Sequence, residues 1–178
     1  MYQAPENAAH AIGADSSKPL TILLWLAVST GWTVSVFSVI EEMCLATACS
    51  DAASFTLFGV GLGLFGIVYF SGILLLLWLR KKVYWSSWLL AAVVFSGIGA
   101  ELRLLWIQKY IIGSWCPLCV TICAALTCTA LLLVIEKIRF TRAGQGRAKD
   151  LAGWLSLVTI MAAIGLAVAL IGVKALSV

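Results

Sequence analysis

Charged residues are scarce in this chain. Only 11% of its 178 residues are Asp, Glu, Lys or Arg, whereas 62% are hydrophobic. A soluble domain of this size carries roughly 25% charged residues, so the deficit excludes an ordinary soluble protein. The composition therefore predicts an integral membrane protein.

Histidine is nearly absent as well. The one histidine, His10, lies in the polar segment 1–18, which we expect to be a disordered cytoplasmic tail. A lone histidine in such a tail excludes imidazole-based catalysis and haem ligation in the rest of the chain. The cysteine spacing does not match an iron–sulfur site, so the sequence predicts no resident metal.

Long apolar runs are what the chain has instead. A helix needs about 20 mostly apolar residues to cross the hydrocarbon core of a bilayer. Five stretches qualify, and most of their connections are short, which is typical of antiparallel neighbours in a bundle. They are Leu20–Ile40, Thr56–Leu79, Trp88–Gln108, Cys116–Ile135 and Ala152–Val173.

These spans predict an all-α membrane protein with a four-helix bundle core and an added fifth helix. Residues 19–136 form the expected catalytic bundle and residues 137–150 a cytoplasmic loop. Residues 151–178 form the fifth transmembrane helix with a short outer tail. Within the second span, Gly59 and Gly63 form a G-x-x-x-G and are expected to permit close packing between helices.

Lysine and arginine are distributed unequally between the two sides of these spans. Nine of the 12 fall on one side and three on the other. Since basic residues collect on the cytoplasmic side, the N-terminus should be cytoplasmic and the C-terminus outside. Four cysteines then face an oxidising compartment, where disulfides persist. They are Cys44, Cys49, Cys116 and Cys119.

Cys116 and Cys119 form a C-x-x-C at the start of the fourth span. Residues three apart share one face of a helix, and Pro117 suits the first helical turn. The partial positive charge of a helix N-terminus favours a thiolate there. The motif therefore favours a redox pair over two packing residues.

Cys44 and Cys49 form a second dithiol in the first outer loop, Glu41–Phe55. Fifteen extended residues span roughly 50 Å, so the loop is long enough to reach the C-x-x-C. Two dithiols within reach of each other predict a relay by thiol–disulfide exchange. Two structural disulfides, or a tetrahedral zinc site, are the alternatives that the residues leave open.

A relay of this kind requires a terminal electron acceptor. Cys119 lies one helical turn inside the apolar phase, so its oxidant should be soluble in lipid. A membrane quinone, menaquinone or ubiquinone, is the acceptor that remains. Trp115 and Cys123 lie near this thiol and are candidates for lining the quinone pocket.

In the order Cys44, Cys49, Ser54, LFGVGLGLFG and WCPLC, the chain resembles the vitamin K epoxide reductase family over about residues 20–135. The resemblance is strongest to bacterial members that act like the DsbB disulfide oxidases. True DsbB proteins have the two cysteine pairs in the opposite order.

The resemblance implies a role for each of these residues. Cys44 would engage a thioredoxin-fold, DsbA-like partner, and Cys49 would exchange with Cys116. Cys119 would face the quinone, and Ser54 would match the polar serine that precedes the second helix. Many bacterial relatives carry a fused thioredoxin domain after the fifth helix, so here we expect the partner in trans.

One departure from the family concerns the quinone pocket, because Cys123 stands where many relatives carry a tyrosine. Two other functions stay open at this point. One is reduction of vitamin K epoxide itself. The other is a non-catalytic membrane scaffold whose external disulfides are only structural.

Overall fold

A computed structural model of the chain describes residues 18–44, 55–80, 82–83, 85–113, 115–142 and 148–175. Five long helices dominate it, and each is long and apolar enough to cross a membrane. The all-α membrane fold expected from the sequence is therefore confirmed. The helices are α1 Lys18–Cys44, α2 Leu62–Leu79, α3 Ser86–Ile107, α4 Pro117–Arg142 and α5 Ala148–Gly172.

The core of the bundle lies between the first four helices. Ten buried apolar side chains form one cluster, and all of them come from α1 to α4. The expected division into a four-helix core and an added fifth helix is thus confirmed. The cluster consists of Leu24, Val28, Phe70, Ile73, Leu77, Leu90, Val94, Leu126, Ala130 and Leu133.

Large apolar side chains are exposed on the outer faces of the helices. Leu26 on α1, Leu75 on α2 and Ile171 on α5 are all more than half exposed. A soluble protein does not present so much contiguous apolar surface, whereas lipid tails solvate it at no cost. These faces are therefore the lipid-facing surface of the bundle.

The fifth helix packs mainly along α3, through small residues. Gly99 of α3 lies against the Ala162 carbonyl, and Gly165 of α5 lies against the Ser96 carbonyl. Helices cross this closely only where side chains are absent, as is common between transmembrane helices.

A small three-stranded sheet lies where α2 begins and α5 ends. Its strands are β1 Phe55–Leu57, β2 Val60–Gly61 and β3 Val173–Ala175, in the antiparallel order β2-β1-β3. Phe58 and Gly59, with φ of 53° and 81°, form the turn between β1 and β2. Two successive positive φ angles are typical of a tight hairpin turn and cannot continue a helix.

The hairpin corrects two sequence predictions. The second span was expected to begin at Thr56, but α2 begins at Leu62 because the preceding residues pair as strands. Gly59 was expected to pack between helices and instead lies in the turn. Gly63 and Gly66 do approach α1, since a Cβ on either would lie within 2.8 Å of Val39 or Ser35.

An ion pair joins the C-terminal ends of α2 and α4. The Arg80 guanidinium donates to the Glu136 carboxylate at 2.5 Å, and its Nε donates to Ser87 Oγ at 3.1 Å. Arg80 follows α2 directly and Glu136 is in the last third of α4, so the two helices run parallel. The first residues of α4 therefore lie at the same end of the bundle as the sheet.

Replacement of Gly165 by Ala should destabilise the protein by about 1–3 kcal/mol, because the new methyl group meets backbone atoms of Ser96. Gly153→Ala, in the same helix, is the matched control because nothing lies within 4 Å of its Cβ position. Thermal unfolding in detergent measures both variants. Equal melting temperatures would contradict the close crossing of α3 and α5.

Candidate functional site

The C-terminal end of α3 leads into α4 through a tight reversal. Gln108–Ile112 continue α3 as one turn of π-helix, which Gly113 ends in the left-handed conformation with φ of 72°. The Gly113 N–H donates to the Gln108 carbonyl at 2.9 Å. The left-handed conformation suits glycine because other residues are strained by their Cβ there.

Cys116 is the residue that immediately precedes α4. Its carbonyl accepts a hydrogen bond from the Val120 N–H at 3.1 Å, and Pro117 occupies the first helical position. A proline there loses no hydrogen bond, as the sequence predicted. The Cys116 side chain is only 4% exposed, whereas the neighbouring Trp115 is 57% exposed.

The cysteines at this helix differ in oxidation state. Cys116 is in a disulfide, whereas Cys119, Cys123 and Cys128 are thiols. The C-x-x-C is therefore not closed on itself. The disulfide partner of Cys116 is not among the cysteines whose side chains the structure describes.

Three of the predicted site residues cannot be placed with the others. Cys44 is the last residue of α1, and its side chain lies outside the described part of the chain. Cys49 and Ser54 lie outside the described residues altogether. The roles expected for these three stay predictions.

Cys119 lies on the interior face of α4. It precedes the core residues Leu126 and Leu133 at intervals of seven residues, which bring side chains back to one helix face. Ile122, one turn below Cys119, packs against the core cluster. The half-buried Cys119 thiol thus points between the helices, at the end of the bundle where the sheet lies.

The interior face of α3 lies opposite. Leu90 and Val94 belong to the core, and a Cβ on Gly97 would lie 2.9 Å from Leu126 of α4. Helical spacing continues this face through Glu101, Leu105 and Gln108.

Polar groups from three helices meet on these faces. The Glu101 carboxyl interacts electrostatically with the side chains of Tyr69 and Cys123. The Tyr69 hydroxyl donates to the Val93 carbonyl at 2.8 Å. Arg103, two residues from Glu101, instead stacks on the Trp106 ring at 4.6 Å.

Sequence reasoning missed Tyr69 and Gln108. Polar residues within transmembrane spans are uncommon and are often functional, so their position in apolar runs was a signal that could have identified them.

An open apolar groove of about 720 Å³ runs down the flank of α4. Trp115 and Cys123, two of the sequence candidates for the quinone site, both line it, and the Cys123 thiol is hydrogen-bonded to Thr127. Cys119 lies one turn above Cys123 and does not line the groove. The other lining residues are Leu105, Val120, Ala124, Thr127, Cys128 and Leu131.

The model of one protein family matches the chain. It is described as the vitamin K epoxide reductase family and matches residues 22–136, nearly two thirds of the sequence. The chain belongs to the vitamin K epoxide reductase family. No curated protein matches the chain at a significant level.

Membership in the vitamin K epoxide reductase family determines the general kind of chemistry. The protein is a membrane thiol–disulfide oxidoreductase of a quinone-linked family, whose members generally work with thioredoxin-like partners. The matched residues cover α1 to α4 and end at Glu136, so α5 lies outside the match. The α4 thiols and the groove both belong to the matched part.

Proposed function

We propose that this member of the vitamin K epoxide reductase family is a quinone-dependent thiol oxidase of the DsbB-like kind. It reoxidises a thioredoxin-fold, DsbA-type partner outside the cytoplasmic membrane and passes the electrons to menaquinone or ubiquinone. The observation that carries the proposal is the disulfide on Cys116 beside the Cys119 thiol. A purely structural C-x-x-C disulfide would join these two cysteines to each other.

The oxidation states support exchange with the outer loop. Because Cys119, Cys123 and Cys128 are thiols, Cys44 and Cys49 are the remaining candidates for the partner of Cys116. The family resemblance favours Cys49. A bridge between Cys49 and Cys116 is the species expected midway through the relay.

The relay begins when a partner thiolate attacks Cys44 in a Cys44–Cys49 disulfide and displaces Cys49 as a thiolate. Cys49 then attacks Cys116 in the Cys116–Cys119 disulfide, which forms the Cys49–Cys116 bridge and releases Cys119 as a thiolate. The partner's second thiol attacks the mixed disulfide, so that the oxidised partner leaves and Cys44 becomes a thiol.

The relay closes by regeneration of both protein disulfides. Cys44 attacks Cys49 in the Cys49–Cys116 bridge, which restores Cys44–Cys49 and leaves Cys116 reduced beside Cys119. These two thiols lose two electrons and two protons as their disulfide re-forms. A bound quinone supplies this oxidation by accepting the electrons and protons as it becomes the quinol.

The residues beside Cys119 fit a quinone. The groove that Trp115 and Cys123 line is apolar and open on the lipid side of α4, which suits an isoprenoid ligand that arrives through the bilayer. Cys116 is buried, which keeps water from the sulfur that is attacked. Cys119 faces the bundle interior, where a thiolate is shielded from water.

The distribution of charge supports an orientation with the N-terminus in the cytoplasm. Arg80, Lys82, Lys137 and Arg139 all lie at the end of the bundle opposite the sheet and Cys116. Lys82 and Lys137 lie over the rings of Trp78 and Trp88, as is common at a membrane interface. This end should therefore face the cytoplasm.

The orientation predicts how the loop cysteines react. After mild reduction of intact cells or right-side-out vesicles, a membrane-impermeant maleimide should label Cys44 and Cys49 from outside. Inverted vesicles are the control and should give little labelling. Labelling of these cysteines from the cytoplasmic face alone would exclude the proposed function.

Replacement of Cys49 by Ala should trap the partner. Cys44 is then a lone thiol that can attack the disulfide of an oxidised partner, and Cys49 is no longer present to displace that partner. A covalent adduct with an external thioredoxin-fold protein should therefore accumulate on non-reducing gels. The double variant Cys44→Ala, Cys49→Ala is the control and should give no adduct. If the single variant gives none either, Cys44 is not the entry point for electrons.

Replacement of Cys119 by Ala should abolish quinone reduction, because the Cys116–Cys119 disulfide can no longer form. The Cys49–Cys116 bridge should still form when a thiol oxidant such as diamide is added, because both of its sulfurs are intact. Cys123→Ala should retain most of the turnover, with weaker quinone affinity, because Cys123 has no partner in the relay. Quinol formation and disulfide mapping measure both variants. Normal turnover without Cys119, or complete loss of turnover without Cys123, would show that Cys119 is not the thiol that faces the quinone.

A further inference from the structure

Gln108 is a buried polar residue whose side-chain oxygen makes no hydrogen bond in the fold. Its side chain is only 4% exposed, and its Oε1 atom has no hydrogen-bond partner. The π-helix that begins at Gln108 is held by its backbone carbonyl, which accepts from the Gly113 N–H. A buried amide oxygen without a partner costs about 1–3 kcal/mol, and a ligand group that donates to it would offset that cost.

The two other buried polar atoms without a partner in the described part of the chain have different settings. Arg103 Nε belongs to a guanidinium that stacks on Trp106. Glu136 Oε2 belongs to a carboxylate whose other oxygen accepts from Arg80, at the far end of the bundle. Of the three atoms, Gln108 Oε1 is thus the one that belongs to the interior face of α3 at the level of Cys116.

Helical geometry places Gln108 beside the C-x-x-C. Gly97 of α3 lies against Leu126 of α4, and the two helices run in opposite directions. Gln108 lies eleven residues beyond Gly97, and Cys116 lies ten residues before Leu126, so the two are at about the same level. Cys119 is roughly 5 Å deeper, at a rise of 1.5 Å per residue.

The direction of the side chain brings the amide towards Cys119. Gln108 shares the interior face of α3 with Val94, Glu101 and Leu105. Helical side chains lean towards the N-terminus of their helix, which for α3 is the deeper end. The Gln108 amide therefore lies between the levels of Cys116 and Cys119, one turn above Leu105 of the apolar groove.

We infer that Gln108 binds the polar head of the quinone. Its amide N–H donates to a quinone carbonyl, and its unpaired amide oxygen accepts the hydroxyl of the quinol. One side chain thereby holds the ring beside Cys119 in both oxidation states, while the groove takes the apolar tail. This inference rests on the proposed function, because it names a residue of the same site.

The test measures quinone binding rather than turnover. Gln108→Met removes the amide and nearly preserves the side-chain shape. It should weaken binding of a short-chain ubiquinone analogue roughly tenfold, the effect of one lost hydrogen bond of about 1.4 kcal/mol. Quenching of tryptophan fluorescence reports the Kd, and solvent extraction reports the quinone that co-purifies. Disulfide exchange between Cys49 and Cys116 should be unchanged.

Thr129→Val is the matched control. Thr129 is also a fully buried polar residue, but its hydroxyl is satisfied by the Ala125 carbonyl at 2.8 Å, deeper in α4. Its removal should leave the Kd at the wild-type value. An equal loss of affinity in both variants would indicate a general effect of buried polar groups and would overturn the assignment.

Two outcomes separate this inference from the proposed function. If the wild-type protein binds the quinone analogue and Gln108→Met binds it equally well, the role of Gln108 is overturned and the oxidase proposal stands. If the wild-type protein binds no quinone, both fall. Should Gln108→Met fail to fold, Gln108→Asn decides, because it shortens the amide by one methylene and should also weaken binding.

Discussion

The reversal between α3 and α4 is the constraint on which the site depends. The π-helical turn from Gln108 and the left-handed Gly113 bring the chain back within a few residues. Cys116 is thereby held at the mouth of the bundle while Cys119 enters the interior face of α4. The antiparallel contact of Gly97 with Leu126 then determines which α3 side chains lie level with the thiols. Without that contact, Glu101 and Gln108 would have no defined relation to the cysteines.

The fifth helix is more closely integrated than its position outside the family match implies. It crosses α3 at Gly99 and Gly165, and its continuation, β3, pairs with β1. Because the β1–β2 hairpin leads directly into α2, α5 holds the start of α2 at the same end of the bundle as Cys116. A helix outside the core thus supports the end of the protein where the redox exchange is proposed.

Much of the fold follows from local features of the chain. The five helices lie close to the five apolar runs because the bilayer leaves the backbone no other hydrogen-bond partner. The start of α2 was misplaced because the pairing of β1 with β3 joins residues far apart in the chain. Apolar composition cannot reveal such non-local pairing, and Phe58 is not a residue type that marks a turn with positive φ.

For the candidate site, the sequence by itself determined the residue types, the spacing of the dithiols and the family. Those properties are local, and Pro117 within the C-x-x-C marks the first turn of α4. Only the tertiary structure decided that Cys116 is joined to a cysteine other than Cys119, and that the Gln108 amide is buried and unpaired. Both depend on how separate helices approach one another, which is determined by packing across the bundle and not by the order of residues along it.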